Sequence, residues 1–141
     1  AEIERKKAER LADIEREKQE LTNLQSAAEE GYAVAQNNLG WMHANGLGVP
    51  QDYQAAVKWY SLAAEQGVRD GQKNLAAMYY TGQGIQKDNV YAYMWWDIAA
   101  SKGQENAGKE RDALAKEMTP SQIEEAQKLA RECVAKNYKG C

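Results

Sequence analysis

Apolar residues recur along the middle of this chain with the spacing of buried helical faces. In two segments they fall three or four residues apart, and each segment ends at two glycines separated by one residue. The glycine pairs are Gly46 with Gly48 and Gly82 with Gly84. A second helical pattern follows each pair and starts at an aspartate suited to an N-cap, Asp52 in the first case and Asp88 in the second. The pattern predicts two helix-turn-helix units and no strands.

The two units are copies of one sequence. Residues 31–66 and 67–102 align without a gap, and twelve positions carry the same residue in both copies. Tandem helical units of this length stack side by side, because one unit alone cannot bury its apolar face. We therefore predict an all-α protein, an α/α superhelical solenoid in which 31–66 is repeat 1 and 67–102 is repeat 2.

Residues 1–30 are predicted to form a charged N-terminal helix that completes a partial repeat. The segment 26–31 matches the end of a second helix, whereas no first helix precedes it, so the array is expected to be cut or capped there. Residues 2–20 are strongly charged and have sparse apolar positions at Ile3, Leu11 and Ile14. Two interpretations stay open for residues 1–20, a helix continuing into solvent or a weak coiled-coil or dimer seam.

Residues 103–141 are predicted to be a degenerate repeat followed by a capping helix. The glycine turn is replaced here by Thr119, Pro120 and Gln122, which are residues typical of an N-cap, the first helical position and a capping box. The last helix is expected over about 120–136, with a polar outer face such as a terminal repeat requires.

Charge and hydropathy exclude two classes of partner. The net charge is -3, and neither sign is concentrated in a basic face or stripe that would bind nucleic acid. No apolar stretch approaches the roughly 18 residues of a membrane span, so we expect no membrane insertion. His43 is the only histidine, which excludes two-histidine zinc motifs, and we expect neither a metal nor a cofactor. The simplest interpretation of His43 is a partly buried packing residue, with a ligand or pH-sensing role as the alternative.

The two cysteines lie close to the end of the chain. In a continuous helix Cys133 and Cys141 would be about 12 Å apart, which is too far for a bond. Asn137 and Gly140 tolerate left-handed backbone, so the tail can fold back and bring the sulfurs together. A disulfide would indicate an oxidising compartment, periplasmic or secreted. Two free thiols in a cytoplasmic protein remain the alternative.

The repeat resembles the Sel-one-like repeat (SLR) family, which is related to the tetratricopeptide repeats. The matching strings are Leu39-Gly40, Gly46-Leu47-Gly48-Val49, Gln51-Asp52-Tyr53, Ala56, Trp59-Tyr60 and Ala63-Ala64-Glu65-Gln66-Gly67. Residues 21–102 are covered closely, and 111–141 look like a C-terminal cap of bacterial members. Two departures, His43 in place of the usual tyrosine and Ala76 in place of glycine, are packing variations.

The resemblance implies a non-enzymatic scaffold or adaptor that binds a protein or peptide, often in bacterial envelope, secretion, signalling or host-interaction systems. Some cysteine-rich bacterial relatives were proposed to bind or hydrolyse β-lactams, so a small-molecule or β-lactam enzyme is one alternative. None of the four serines has a lysine three residues on, as a serine β-lactamase requires. A fragment of a larger oligomeric assembly is the other alternative.

In a stacked array the first helices line the concave side, where a partner would bind. Positions that differ between copies but share one helical face are free to specialise there. These positions are Asn37, Trp41 and Ala44, then Lys73, Ala77 and Tyr80, then Lys109, Ala113 and Lys116. We predict a protein-binding face of Asn37, Trp41, Lys73, Tyr80, Lys109 and Lys116, with the two aromatic residues as anchors. Packing of Trp41 on a preceding helix is the alternative.

Overall fold

The computed structural model describes all 141 residues and contains seven helices and no strands. The helices are α1 (Glu2–Glu29), α2 (Ala33–Asn45), α3 (Tyr53–Glu65), α4 (Arg69–Thr81), α5 (Asn89–Ser101), α6 (Glu105–Ala115) and α7 (Pro120–Ala135). Each packs mainly on its neighbours in the chain, except that α7 packs on α5. The prediction of an all-α helical repeat solenoid is confirmed.

The turn inside each repeat follows from glycine and aspartate. Gly46 and Gly82 end the first helices with left-handed backbone, at φ of 66° and 73°, a region that glycine enters without a Cβ penalty. Asp52 and Asp88 then accept a hydrogen bond from the backbone N–H three residues on, at 3.1 and 3.0 Å. These caps fix where the second helices α3 and α5 begin.

The core is centred on α5, which lies between α4, α6 and α7. Seven of its residues are buried, and Trp95 and Trp96 are the largest of them. A smaller cluster of Ala28, Ala35 and Leu39 joins α1 to α2. Most of the buried core therefore lies in α3–α7, whereas the N-terminal part of α1 contributes no buried residue.

A buried glutamine at the same position of each repeat ties neighbouring units together. The side-chain amide of Gln36 donates to the carbonyl of Ala28, and that of Gln72 donates to the carbonyl of Ala64, both at 3.2 Å. These carbonyls lie near the end of the preceding second helix, where intrahelical donors run out. The counterpart in α6 is Gly108, so this link between units ends with repeat 2.

The tail folds back over α7, as the disulfide interpretation required. Asn137 and Tyr138 adopt left-handed backbone, with φ of 56° and 66°. Cys133 and Cys141 form a disulfide with a Cα–Cα distance of 5.6 Å. The ring of Tyr138 lies under the ammonium of Lys102, which is 4.7 Å from the ring centroid. The disulfide thus holds the tail against the end of α5.

Burial of Tyr60 makes stability depend on pH in the alkaline range. Its side chain is 3% exposed, and burial raises the pKa of Tyr60 from 10.0 to about 12. Because the folded state holds the phenolic proton more tightly than the unfolded state, protonated Tyr60 contributes to the free energy of unfolding. This contribution is complete below pH 10 and is lost as the pH rises toward 12. We expect Tyr60→Phe to remove on the order of 2 kcal/mol from the alkaline decline in the free energy of unfolding. Urea denaturation of both proteins between pH 8 and about 12 measures the difference, and parallel declines would contradict the assignment.

Candidate functional site

The first helices α2, α4 and α6 form one face of the solenoid, and this face carries two adjoining depressions. The first has a volume of about 600 Å³ and is lined by Asn37, Asn38, Trp41, Met42, Asp70, Lys73, Asn74 and Gln104. The second has a volume of about 400 Å³ and is lined by Lys73, Asn74, Ala77, Tyr80, Thr81, Trp96, Asn106 and Glu110. We call the two together the first-helix groove.

Lys73 and Asn74 border both depressions. The amide of Asn74 donates to the Asn37 side-chain oxygen at 3.0 Å, which links α4 to α2 across the groove. Lys73 is a half-buried residue whose ammonium forms no ion pair and donates no hydrogen bond within the chain, whereas the nearby Asp70 accepts one from Gln104 at 2.8 Å. An unpaired cation therefore lies at the junction of the two depressions.

Trp41 lies at the wall of the first depression and is 51% exposed. It belongs to neither hydrophobic core cluster. The side chain beside it, Met42, is half-buried. An exposed indole next to apolar surface has the features of an interface anchor, because burying it on binding removes a large apolar area from water.

Tyr80 lies in the second depression and is held from three sides. Its ring packs against Trp96 with centroids 5.6 Å apart, and Lys87 places its ammonium 4.9 Å from the ring centroid. The hydroxyl donates to the carboxylate of Glu117 at 3.4 Å. Tyr80 is therefore a half-buried, oriented wall of the groove.

Lys109 and Lys116 are exposed but line neither depression. They correspond in the repeat to Lys73 and Tyr80, and the hydroxyl of Tyr80 reaches from α4 to Glu117, just after the end of α6. The helix after α6 is α7, which packs on α5, and the positions of Lys109 and Lys116 line no depression. On α6 it is Asn106 and Glu110 that border the second depression.

Sequence comparison between copies missed several groove residues. Asn38 and Asn74 are identical in the two repeats, so a comparison that selects differing positions passes over them, yet both line the groove. Polarity alone does not identify them, because the buried Gln36 and Gln72 are also polar and identical in the two repeats. Asp70 and Gln104 were missed because they lie at helix starts, outside the regular face.

No other part of the molecule assembles a cluster with evident chemistry. No group of three or more His, Cys, Asp or Glu side chains is placed to hold a metal ion. His43 is half-buried, its Nδ1 has no hydrogen-bond partner, and it lines neither depression of the groove. None of the seven helices has the length and apolar character of a membrane span.

These features define a class, the tandem α/α repeat proteins with a groove along their first helices. The Sel1 repeat family matches residues 33–68 and 69–104, which is more than half of the chain. The chain therefore belongs to the Sel1 repeat family, whose members generally act as protein-interaction scaffolds and are generally not catalytic.

Two crystal structures show the same fold in relatives. One is c5321, a protective antigen present in uropathogenic Escherichia coli strains that displays an SLR fold. It is 33% identical, with a TM-score of 0.76 over 82% of this chain and 26% of that one. The other is a Sel1 repeat protein from Oxalobacter formigenes, 37% identical, with a TM-score of 0.66 over 67% of this chain and 27% of that one. This chain spans about a quarter of the length of both relatives. No curated protein matches it.

Proposed function

We propose that this chain is a non-enzymatic scaffold that binds an extended segment of a partner protein in the first-helix groove. The observation that carries the proposal is the unpaired ammonium of Lys73 at the junction of two depressions, with the exposed indole of Trp41 in the same wall. A cation without a partner beside a groove favours an acidic group on the ligand, because a hydrogen bond between an ammonium and a carboxylate is stronger than one between neutral groups.

The groove specifies more than charge. Asn37 accepts one hydrogen bond from Asn74 and keeps its own amide N–H groups available, and Asn38 is exposed beside it. Amide side chains with spare donors and acceptors can pair with the backbone of an extended peptide. The preferred ligand is thus a peptide with an acidic residue opposite Lys73 and an apolar or aromatic residue against Trp41.

The proposed location of this binding is the periplasm or the exterior of the cell. The Cys133–Cys141 disulfide is compatible with an extracytoplasmic location, where such bonds form and persist. A peptide-binding scaffold of this kind would meet its partner in the bacterial envelope or at the cell surface.

A selection from a random peptide library displayed on phage tests the groove directly. We expect recovered peptides to share an acidic residue near an aromatic or aliphatic one. For synthetic versions, Lys73→Glu should weaken binding at least about tenfold, because it replaces attraction by repulsion in a partly desolvated site. Isothermal titration calorimetry gives the affinities.

Lys58→Glu is the matched control, since Lys58 is an exposed helical lysine on α3, outside the groove. It makes the same change in net charge and should leave affinity within about twofold. Lys109→Glu distinguishes the groove lining seen in the structure from the binding face predicted from equivalent repeat positions. Since Lys109 lines neither depression, we expect this variant to behave like the control. If the selected peptides bind the Lys73→Glu and Trp41→Ala variants as tightly as the parent, the groove is not the binding site.

A further inference from the structure

The first helix carries an apolar stripe whose N-terminal part, from Ile3 to Leu11, is exposed and belongs to no core cluster of the chain. Ile3 and Leu11 are 70% and 63% exposed. With Ile14 and Leu21 they fall within an arc of roughly 80° on the helix surface, at about 3.6 residues per turn. Scattered exposed apolar side chains are ordinary, whereas a single stripe along a helix indicates a contact.

The stripe leads into an open cavity at the N-terminal end of the solenoid. α1 makes extensive contact only with α2, whereas α3 is packed between α2 and α4. A cavity of about 480 Å³ lies between α1 and the turn after α2, and its apolar walls are Ile14, Leu21, Met42 and Leu47. Leu47 is 45% exposed.

The position equivalent to this cavity, beside the turn after α4, is filled in the next repeat. Gly84, the counterpart of Gly48, packs against the backbone at Tyr53, where α3 begins. α1 does not begin at the corresponding point but runs on toward Glu2, so its extension projects beyond the turn. The geometry therefore leaves room for one more helix beside α1.

The charges of α1 indicate which helix fits. Residues 2–10 carry four basic and three acidic side chains, and residues 11–20 carry two basic and four acidic ones. An antiparallel copy of the same segment places the basic half against the acidic half, whereas a parallel copy pairs like with like. The stripe runs from Ile3 to Leu21, so an antiparallel partner centred on its middle sets Ile3 of one copy beside Leu21 of the other.

We propose that the occupant is a second copy of this chain, and that the protein forms an antiparallel dimer through α1. In this dimer the N-terminal turn of each α1 covers the open cavity of the other copy. The two solenoids lie at opposite ends of the helix pair, which leaves both first-helix grooves uncovered. The proposal rests on α1 alone and is independent of the peptide-binding function.

Sedimentation-velocity measurements of the full chain over a concentration series test the dimer. We expect the mass of two chains at high concentration for the parent and of one chain for Leu11→Glu. Ala12→Glu is the matched control, because it adds the same charge one residue away on the opposite side of the same helix, and it should stay dimeric. Helix content measured by circular dichroism should be equal in the two variants, since both sites are exposed.

Orientation is tested with a flexible bismaleimide on cysteine variants. A mixture of Ile3→Cys and Lys18→Cys proteins should give cross-linked heterodimers, whereas Ile3→Cys alone should not cross-link. If the parent protein sediments with the mass of one chain at every concentration, the dimer proposal is overturned. The cavity beside α1 would then be a candidate site for a helix of another protein. Efficient cross-linking of Ile3→Cys to itself would overturn the antiparallel arrangement.

Discussion

Gly84→Ala should lower the free energy of unfolding by at least about 3 kcal/mol, through backbone strain and steric overlap together. The backbone at Gly84 has φ of 74°, a conformation that L side chains rarely adopt. An added Cβ would overlap the carbonyl oxygen of Tyr53 and lie 2.5 Å from its carbon. Because these are backbone atoms at the start of α3, they cannot move aside as a side chain would. Urea denaturation followed by far-UV circular dichroism measures the loss.

Gly48→Ala separates the two contributions. Gly48 occupies the same place in repeat 1 and has the same φ of 74°. Its added Cβ would meet two side-chain methyl groups, that of Met42 at 3.2 Å and one of Leu21 at 3.9 Å, and the flexible Met42 side chain can give way. We therefore expect a loss of about 1 kcal/mol, from backbone strain alone. Equal losses in the two variants would show that the contact between repeats does not constrain Gly84.

The comparison of Gly48 with Gly84 shows how much of the fold can be predicted from the sequence. Both glycine pairs, both aspartate caps and the 36-residue period were readable, and they were sufficient to predict an all-α solenoid of helix-turn-helix repeats. Gly48 and Gly84 each follow a glycine two residues earlier and precede an aspartate four residues later. The difference is that the start of α3 packs against the turn at Gly84, whereas no helix begins against the turn at Gly48. This difference depends on the preceding unit and cannot be read from the sequence of the turn.

The groove was predicted less completely, for a related reason. Comparison of the copies identified Trp41, Lys73 and Tyr80, because those positions vary on one helical face. It could not show that Lys109 and Lys116 line no depression, since that depends on α7, which follows α6 and packs on α5. A periodic sequence predicts equivalent positions, whereas a helix that departs from the period makes them unequal.

Breaking the Cys133–Cys141 disulfide should lower the free energy of unfolding by about 2.5 kcal/mol, because the bond closes a small loop in the unfolded chain. Cys141→Ala is the appropriate variant, since Cys133 is only 2% exposed and a change there would also disturb the core. Thermal or urea denaturation of oxidised parent and variant measures the difference. In excess dithiothreitol the two proteins should become nearly equally stable, and a persistent gap would assign the loss to packing of Cys141 instead of the bond.

Loss of the Cys133–Cys141 disulfide should also destabilise residues that are distant from the cysteines in sequence. Lys102 donates hydrogen bonds to the carbonyl of Gly67 and to the hydroxyl of Tyr138, so the disulfide-held tail contacts the boundary between the two repeats. Without the disulfide the tail should fray, because the remaining contacts do not offset the strain of left-handed backbone at Asn137 and Tyr138. We expect amide hydrogen exchange in Cys141→Ala to accelerate in the last turn of α7 and around Lys102, while α2 stays as protected as in the parent. Acceleration confined to the last five residues would mean that the tail covers the repeat boundary without stabilising it.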